Sequence, residues 1–98
     1  NIVHIHEFQE MMKRLYFHRD SERGVKRTYD WLVDEIRELG EALEEKDKEA
    51  VEKEFADVIA WLASLANITG IDLERAALNN TAASAQNAKC HHVNVRSR

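Results

Sequence analysis

The sequence contains no proline, only three glycines and a single cysteine. Proline and glycine interrupt regular backbone structure, so their scarcity favours long helices over short strands joined by turns. One cysteine excludes an intrachain disulfide and is consistent with a reducing compartment, so we expect a cytoplasmic protein. No segment is apolar over the ~20 residues that a membrane-spanning helix requires, so we expect no membrane partner.

The chain also lacks an excess of positive charge. It has 14 Lys and Arg against 18 Asp and Glu, a net charge of −4, which argues against a nucleic-acid partner. With 44% hydrophobic residues the composition is that of an ordered protein. A chain of 98 residues supports one domain, but it buries only a limited apolar surface by itself.

Apolar residues recur at helical spacing over three long segments, which predicts an all-α fold. The predicted helices run from about His6 to Phe17, from Thr28, the expected N-cap, to Glu45, and from about Lys48 to Ile68. The charged residues 18–24 predict a connection between the first two. We expect the second and third to be the two long central helices of a four-helix-bundle-type protomer.

A shorter fourth helix is predicted after Gly70, with Asp72 as its cap and its end near Leu78. Residues 1–78 then form one helical domain, and 79–98 form a poorly ordered tail. Cys90-His91-His92 lies in that tail without a partner cluster, so we expect no structural zinc site there. Short bundled helices leave apolar surface exposed in a monomer, which favours a homodimer or homotetramer.

Two acidic motifs on neighbouring apolar segments are the most informative feature of the sequence. Asp34-Glu35-Ile36-Arg37-Glu38 lies on the second predicted helix, and Glu54-Phe55-Ala56-Asp57 lies on the third. Carboxylates three positions apart project from roughly one helix face. Such a pair is usually solvated, but Glu54 and Asp57 lie in the most apolar helix, where idle carboxylates are costly. Four converging carboxylates favour Mg²⁺ or Mn²⁺, and Mg²⁺ commonly accompanies polyphosphate.

Each long predicted helix also carries a tryptophan beside its apolar stripe, Trp31 on the second and Trp61 on the third. Tryptophans in such positions are more often partly buried core residues, but these two can also wall a nucleobase pocket. The first third of the chain is basic, and Arg19 and Arg23 are candidates for phosphate contacts. Individually, each is also typical of a solvated surface charge.

The segment 31–43, which reads Trp-Leu-Val-Asp-Glu-Ile-Arg-Glu-Leu-Gly-Glu-Ala-Leu, resembles the first signature of the MazG-like nucleotide pyrophosphohydrolases. Their pattern is Glu-Glu-x-x-Glu followed, after a spacer, by Glu-x-x-Asp. The second part resembles residues 54–62 here, and residues 65–76 match the usual continuation into a fourth helix. The resemblance extends from about Phe8 to Leu78.

This resemblance implies an all-α enzyme that uses Mg²⁺ to cleave a nucleoside triphosphate, NTP or dNTP, between its α and β phosphates. It implies metal ligation by Glu35, Glu38, Glu54 and Asp57. Glu35 or Glu38 is then the candidate base that accepts the proton of the attacking water. Asp34 stands where the family most often has glutamate, so we treat it as a minor participant.

The sequence departs from the family pattern after Leu78, where a basic-aromatic pair usually contacts the nucleotide. This chain has Asn79-Asn80 instead, and Asn79 remains a candidate for substrate contact. Two other interpretations stay open: a phosphoribosyl-ATP pyrophosphohydrolase of histidine synthesis, and a non-catalytic helical oligomerisation module. A di-iron oxidase bundle is disfavoured because it needs Glu-x-x-His on two helices, and no histidine lies between His18 and His91.

Overall fold

The computed structural model describes residues 2–87, and all regular structure in that range is helical. The elements are α1 (Ile5–Arg23), α2 (Val25–Glu45), α3 (Lys48–Thr69) and α4 (Leu73–Asn87). Helix α2 packs along α3, α1 packs chiefly against α3, and α4 packs against α1. The all-α fold with four helices that the apolar spacing predicted is therefore confirmed.

The junction between α1 and α2 is a single residue, Gly24, so the connection predicted over residues 18–24 is wrong. Charged residues there continue α1 because Arg and Glu are good helix formers, and His18 pairs with Glu22 one turn away. Gly24 adopts φ 89° and ψ 167°, a conformation essentially restricted to glycine. Helix α2 starts directly after it without a side-chain cap, and Thr28, the predicted N-cap, is fully buried within the helix.

The remaining turns follow capping rules. The Asp47 carboxylate accepts hydrogen bonds from the backbone N–H groups of Glu49 and Ala50 and so caps α3. Gly70 ends α3 in the left-handed conformation with φ 73°, as predicted. Asp72 accepts a hydrogen bond of 3.2 Å from the backbone N–H of Arg75, which confirms it as the cap of α4.

Helix α4 is longer than predicted, because it continues to Asn87 rather than ending near Leu78. Asn79 therefore lies within a helix, on its exposed surface, and not in an irregular tail. Residues 88–98, including Cys90-His91-His92, lie outside the described residues.

A buried pair of amide side chains links α1, α3 and α4 near the turn between α3 and α4. Gln9 on α1 donates from Nε2 to Asn67 Oδ1 on α3 at 3.0 Å and to the carbonyl oxygen of Ile71 at 2.7 Å. Its Oε1 accepts from the backbone N–H of Leu73, the first residue of α4, at 2.9 Å. Asn67 Nδ2 in turn donates to the backbone carbonyl of Gln9. These bonds fix the positions of α1, α3 and α4 relative to one another.

The apolar core of a single chain is small. Large apolar residues on α2 and α3 remain exposed, among them Ile36 at 50% and Phe55 at 55%. Because α1 covers α3 more than it covers α2, the apolar residues of α2 are buried only in part, with Leu32 inside. We call the uncovered residues the apolar stripe: Val33, Ile36, Leu43, Phe55, Ile59 and Leu62. So much exposed apolar surface is unusual for a monomer.

Within the described residues, no single helix is both long and apolar enough to cross a membrane. Only α3 taken together with the start of α4 reaches that length and apolarity, and these two segments are bent by 99° from each other.

Candidate metal centre

Three carboxylates from α2 and α3 meet between the two helices. Glu35 and Glu38 are one turn apart on α2 and face α3, where Glu54 lies opposite them. Each of the three offers one carboxylate oxygen within 4.8 Å of the other two. All three side chains are partly buried.

Two oxygens of this cluster lack a partner. Glu35 Oε1 and Glu54 Oε1 are buried and accept no hydrogen bond from any of the described residues. The neighbouring cations lie near other oxygens of the cluster, with Lys53 Nζ 3.9 Å from Glu54 Oε2 and Arg37 Nη2 3.8 Å from Glu38 Oε2. A buried carboxylate oxygen without a donor is costly. The oxygen-only donor set and its two unpartnered atoms fit a hard divalent cation such as Mg²⁺ or Mn²⁺.

The pKa values record the same crowding of negative charge. Burial raises the pKa of the Glu35 carboxyl, and the negative charges of Glu38, Asp57 and Glu54 raise it further. Burial likewise raises the pKa of Glu38, with contributions from Glu54 and Asp34 that the nearby Arg37 partly offsets. Both carboxyls are thus harder to ionise than ordinary glutamates in the metal-free chain.

Asp57 and Asp34, the outer members of the two motifs, are held by basic neighbours. Asp57 Oδ2 accepts a hydrogen bond of 3.1 Å from Lys53 Nζ, which raises the pKa of Lys53. The Asp57 carboxylate is outside the 4.8 Å group, although its charge still raises the pKa of Glu35. Asp34 is bound by Arg37 at 2.9 Å. Three of the four predicted ligands are therefore gathered, with Asp57 beside them.

The two predicted tryptophans form part of a layered column next to the cluster. The rings of Trp31 and Trp61 stack with their centroids 5.4 Å apart and their planes inclined by 24°. The guanidinium of Arg23 lies over the Trp61 ring, 4.7 Å from the ring centroid. Arg23 is held in turn by Asp20 Oδ1 at 2.9 Å and by the Thr28 hydroxyl at 3.4 Å.

A cavity of about 300 Å³ opens between α1 and α3, and Trp61 and Arg23 of this column line part of it. Arg19, the other predicted phosphate contact, lines it together with Tyr16 and Ser64. Asn79 is on the exposed surface of α4, which packs chiefly against α1, so the subunit does not bring it to the three carboxylates.

Sequence reasoning missed Asp20 and Lys53. Asp20 is 2% exposed and binds Arg23 one turn away, a pairing that its i, i+3 spacing to Arg23 indicates. The signal for Lys53 was its i, i+4 spacing to Asp57, which places a cation on an acidic face.

Comparison with known proteins agrees with this geometry. The family model described as the MazG nucleotide pyrophosphohydrolase domain matches residues 23–86, a range that contains both acidic motifs and both tryptophans. Among curated proteins, no relative matches the chain.

Proposed function

This chain belongs to the MazG nucleotide pyrophosphohydrolase family, and on that premise we propose that it hydrolyses a nucleoside triphosphate, NTP or dNTP, between its α and β phosphates. The products are the nucleoside monophosphate and pyrophosphate. The observation that carries the proposal is the cluster of Glu35, Glu38 and Glu54, with its two buried, unpartnered oxygens. In a nucleotide hydrolase such a cluster has a direct use, because triphosphates are handled as complexes with divalent ions.

In this proposal Glu35, Glu38 and Glu54 hold Mg²⁺ or Mn²⁺, with Asp57 as the fourth ligand. A divalent ion bound there supplies positive charge against the triphosphate oxygens and makes the attacking water more acidic. Glu35 and Glu38 are the two candidate general bases.

Basic side chains at the margin of the cluster contribute to phosphate binding. Lys53 and Arg37 are largely exposed and lie within 4 Å of cluster carboxylates. We propose that they pair with phosphate oxygens, a role for which ammonium and guanidinium groups are suited. This assignment does not depend on a basic residue following Leu78.

The direct test is the identity of the released product. Purified protein is incubated with each of the common nucleoside triphosphates and with phosphoribosyl-ATP, in Mg²⁺ and then in excess chelator. We expect pyrophosphate and the monophosphate in equal amounts, only when the metal is present. Release of orthophosphate alone, or equal rates with chelator, contradicts the proposed cleavage. Preferential turnover of phosphoribosyl-ATP instead assigns the activity of histidine synthesis.

We further propose that the apolar stripe joins two copies of the chain into a homodimer, or pairs of copies into a homotetramer. The stripe runs along α2 at Ile36 and Leu43, seven residues apart, and along α3 at Phe55, Ile59 and Leu62. Residues at these spacings share one helix face. Burying them against a second copy adds the apolar burial that this small core lacks.

Ile36→Asp tests the homodimer because it places a charge in the middle of the stripe. We expect it to weaken self-association about a hundredfold or more, since an unpaired buried charge is strongly unfavourable. Analytical ultracentrifugation over a range of concentrations measures the change in mass. Leu15→Asp on α1, also at an exposed leucine, is the matched control and should keep the wild-type mass. A wild-type protein that sediments as a monomer at high concentration contradicts the proposal.

A further inference from the structure

One of the two stacked tryptophans is still half exposed. Trp61 already has two partners over its ring, Trp31 and the Arg23 guanidinium. Among the described residues, Trp31 has only the Trp61 ring as a stacking partner, and the residue is 51% exposed. Trp31 is therefore the tryptophan that has room for a further flat group.

The exposed ring of Trp31 is close to the candidate metal centre. Trp31 precedes Glu35 by four residues on α2, so the two lie on the same face about one turn, ~6 Å, apart along the helix axis. We propose that the nucleobase of the substrate stacks on the exposed ring of Trp31 while its triphosphate lies beside the divalent ion that Glu35, Glu38 and Glu54 would hold. The inference rests on the proposed function, and it adds a specific platform for the base.

The rest of the column explains why Trp31 is suited to this task. Asp20 and Thr28 accept hydrogen bonds from Arg23. The Arg23 guanidinium lies over the Trp61 ring, and the Trp61 ring stacks on Trp31. A platform that is already fixed in place loses little conformational entropy when a base stacks on it. Stacking is tolerant of base identity, because every base has a π face. The column thus gives affinity for nucleotides over bare polyphosphate.

The cavity between α1 and α3 is the competing place for the base. It is large enough at about 300 Å³, and it is lined by Tyr16 and Trp61. However, the Arg23 guanidinium and the Trp31 ring already lie against the Trp61 ring, and Trp31 is not among the residues that line the cavity. A base in the cavity would have to compete with Arg23 for the ring of Trp61.

The test compares two ligands by calorimetric titration in Mg²⁺. One is the α,β-methylene analogue of ATP, which is not cleaved at the proposed bond, and the other is inorganic tripolyphosphate, which has no base. Trp31→Leu keeps an apolar side chain against Trp61 but has no π face. We expect it to weaken binding of the ATP analogue about tenfold to a hundredfold and to leave the affinity for tripolyphosphate unchanged. Trp31→Tyr should restore most of the lost affinity.

Two further variants complete the test. Phe17→Leu removes a comparably exposed aromatic on α1 and should bind both ligands like the wild type. Tyr16→Leu alters the cavity and should also have little effect. The inference is overturned if Trp31→Leu binds the ATP analogue as tightly as the wild type, or if Tyr16→Leu is the variant that loses affinity. If the wild type releases pyrophosphate in the product assay, either of these two outcomes contradicts only the stacking on Trp31 and not the proposed function. A wild type that binds neither ligand overturns both.

Discussion

Glu35→Gln is expected to abolish pyrophosphate release, with kcat/KM lowered by about a thousandfold or more. The substitution keeps the size of the side chain but removes one of the three charges that gather between α2 and α3. It also removes one of the two carboxylates that are candidate general bases. The measurement is the initial rate of pyrophosphate formation at saturating Mg²⁺, compared with Glu44→Gln, an exposed glutamate on the same helix.

Glu35→Gln is also expected to be more stable than the wild type when no metal is bound. A loss of activity in this variant then cannot be attributed to unfolding. The pKa of Glu35 is higher in the folded chain than in the unfolded chain, so between the two values the folded state binds more protons. Stability of the wild type then falls as the pH rises through this window. Glutamine cannot ionise, so the variant does not share this loss. Its advantage in free energy of unfolding should be absent below the ordinary pKa of glutamate and complete once the pH exceeds the raised pKa of Glu35 in the folded chain.

Chemical denaturation at several pH values, in the presence of chelator, measures that difference. Added Mg²⁺ should then reverse the order of the two proteins, because ligand binding stabilises the wild type by mass action, about 2.7 kcal/mol at a hundred times the Kd. Full activity of Glu35→Gln, or lower stability than the wild type at neutral pH without metal, contradicts the assigned cluster.

Gln9→Leu is expected to destabilise the fold by about 2–4 kcal/mol. Gln9 is 5% exposed, and its amide satisfies three groups on other elements: Asn67 Oδ1, the Ile71 carbonyl and the Leu73 N–H. Leucine has a similar volume but leaves all three without their partner. Denaturant unfolding measures the change, and Glu10→Leu, at the exposed neighbouring position, should be within about 0.5 kcal/mol of the wild type.

A double-mutant cycle with Asn67 sharpens this result. Asn67→Leu alone leaves the Gln9 amide without one acceptor and removes one donor from the Gln9 backbone carbonyl. When both amides are replaced, neither side chain is left with a polar atom that lacks its partner on the other. The double variant should therefore lose less free energy of unfolding than the sum of the two single losses. Strict additivity would show that the two amides act independently.

The sequence predicts helices best where local chemistry decides the outcome. Gly70 and Asp72 act through their own backbone and side-chain preferences, and both roles are confirmed. Thr28 has the chemistry of an N-cap, but Gly24 occupies the N-cap position of α2, four residues earlier, and the Thr28 hydroxyl instead accepts a hydrogen bond from Arg23. The charged run before Gly24 predicts a connection but forms the end of α1, because polarity does not distinguish an exposed helix from a loop.

The candidate site shows the same division between local and tertiary information. Spacing within each motif indicates that Glu35 and Glu38 share a face, but it does not fix how α3 is placed against α2. That placement depends on packing, and it leaves Asp57 bonded to Lys53 rather than within the group of three. The apolar pattern likewise does not reveal which faces of a helix another element covers. Ile36 fits the pattern of a core residue and is half exposed in the single chain.

The joint at Gly24 has a consequence for how the protein tolerates change. Arg23 donates hydrogen bonds to Asp20, which precedes Gly24 in the chain, and to Thr28, which follows it. The position of the Arg23 guanidinium over Trp61 therefore depends on the geometry of both helices that meet at Gly24. A backbone conformation that other residues rarely adopt sets the direction in which the two helices diverge. Substitution of the solvent-facing charged residues of α1 should then have little effect on stability. Insertion of even one residue at the joint would rotate α1 relative to α2 and break the contact between Arg23 and the tryptophans.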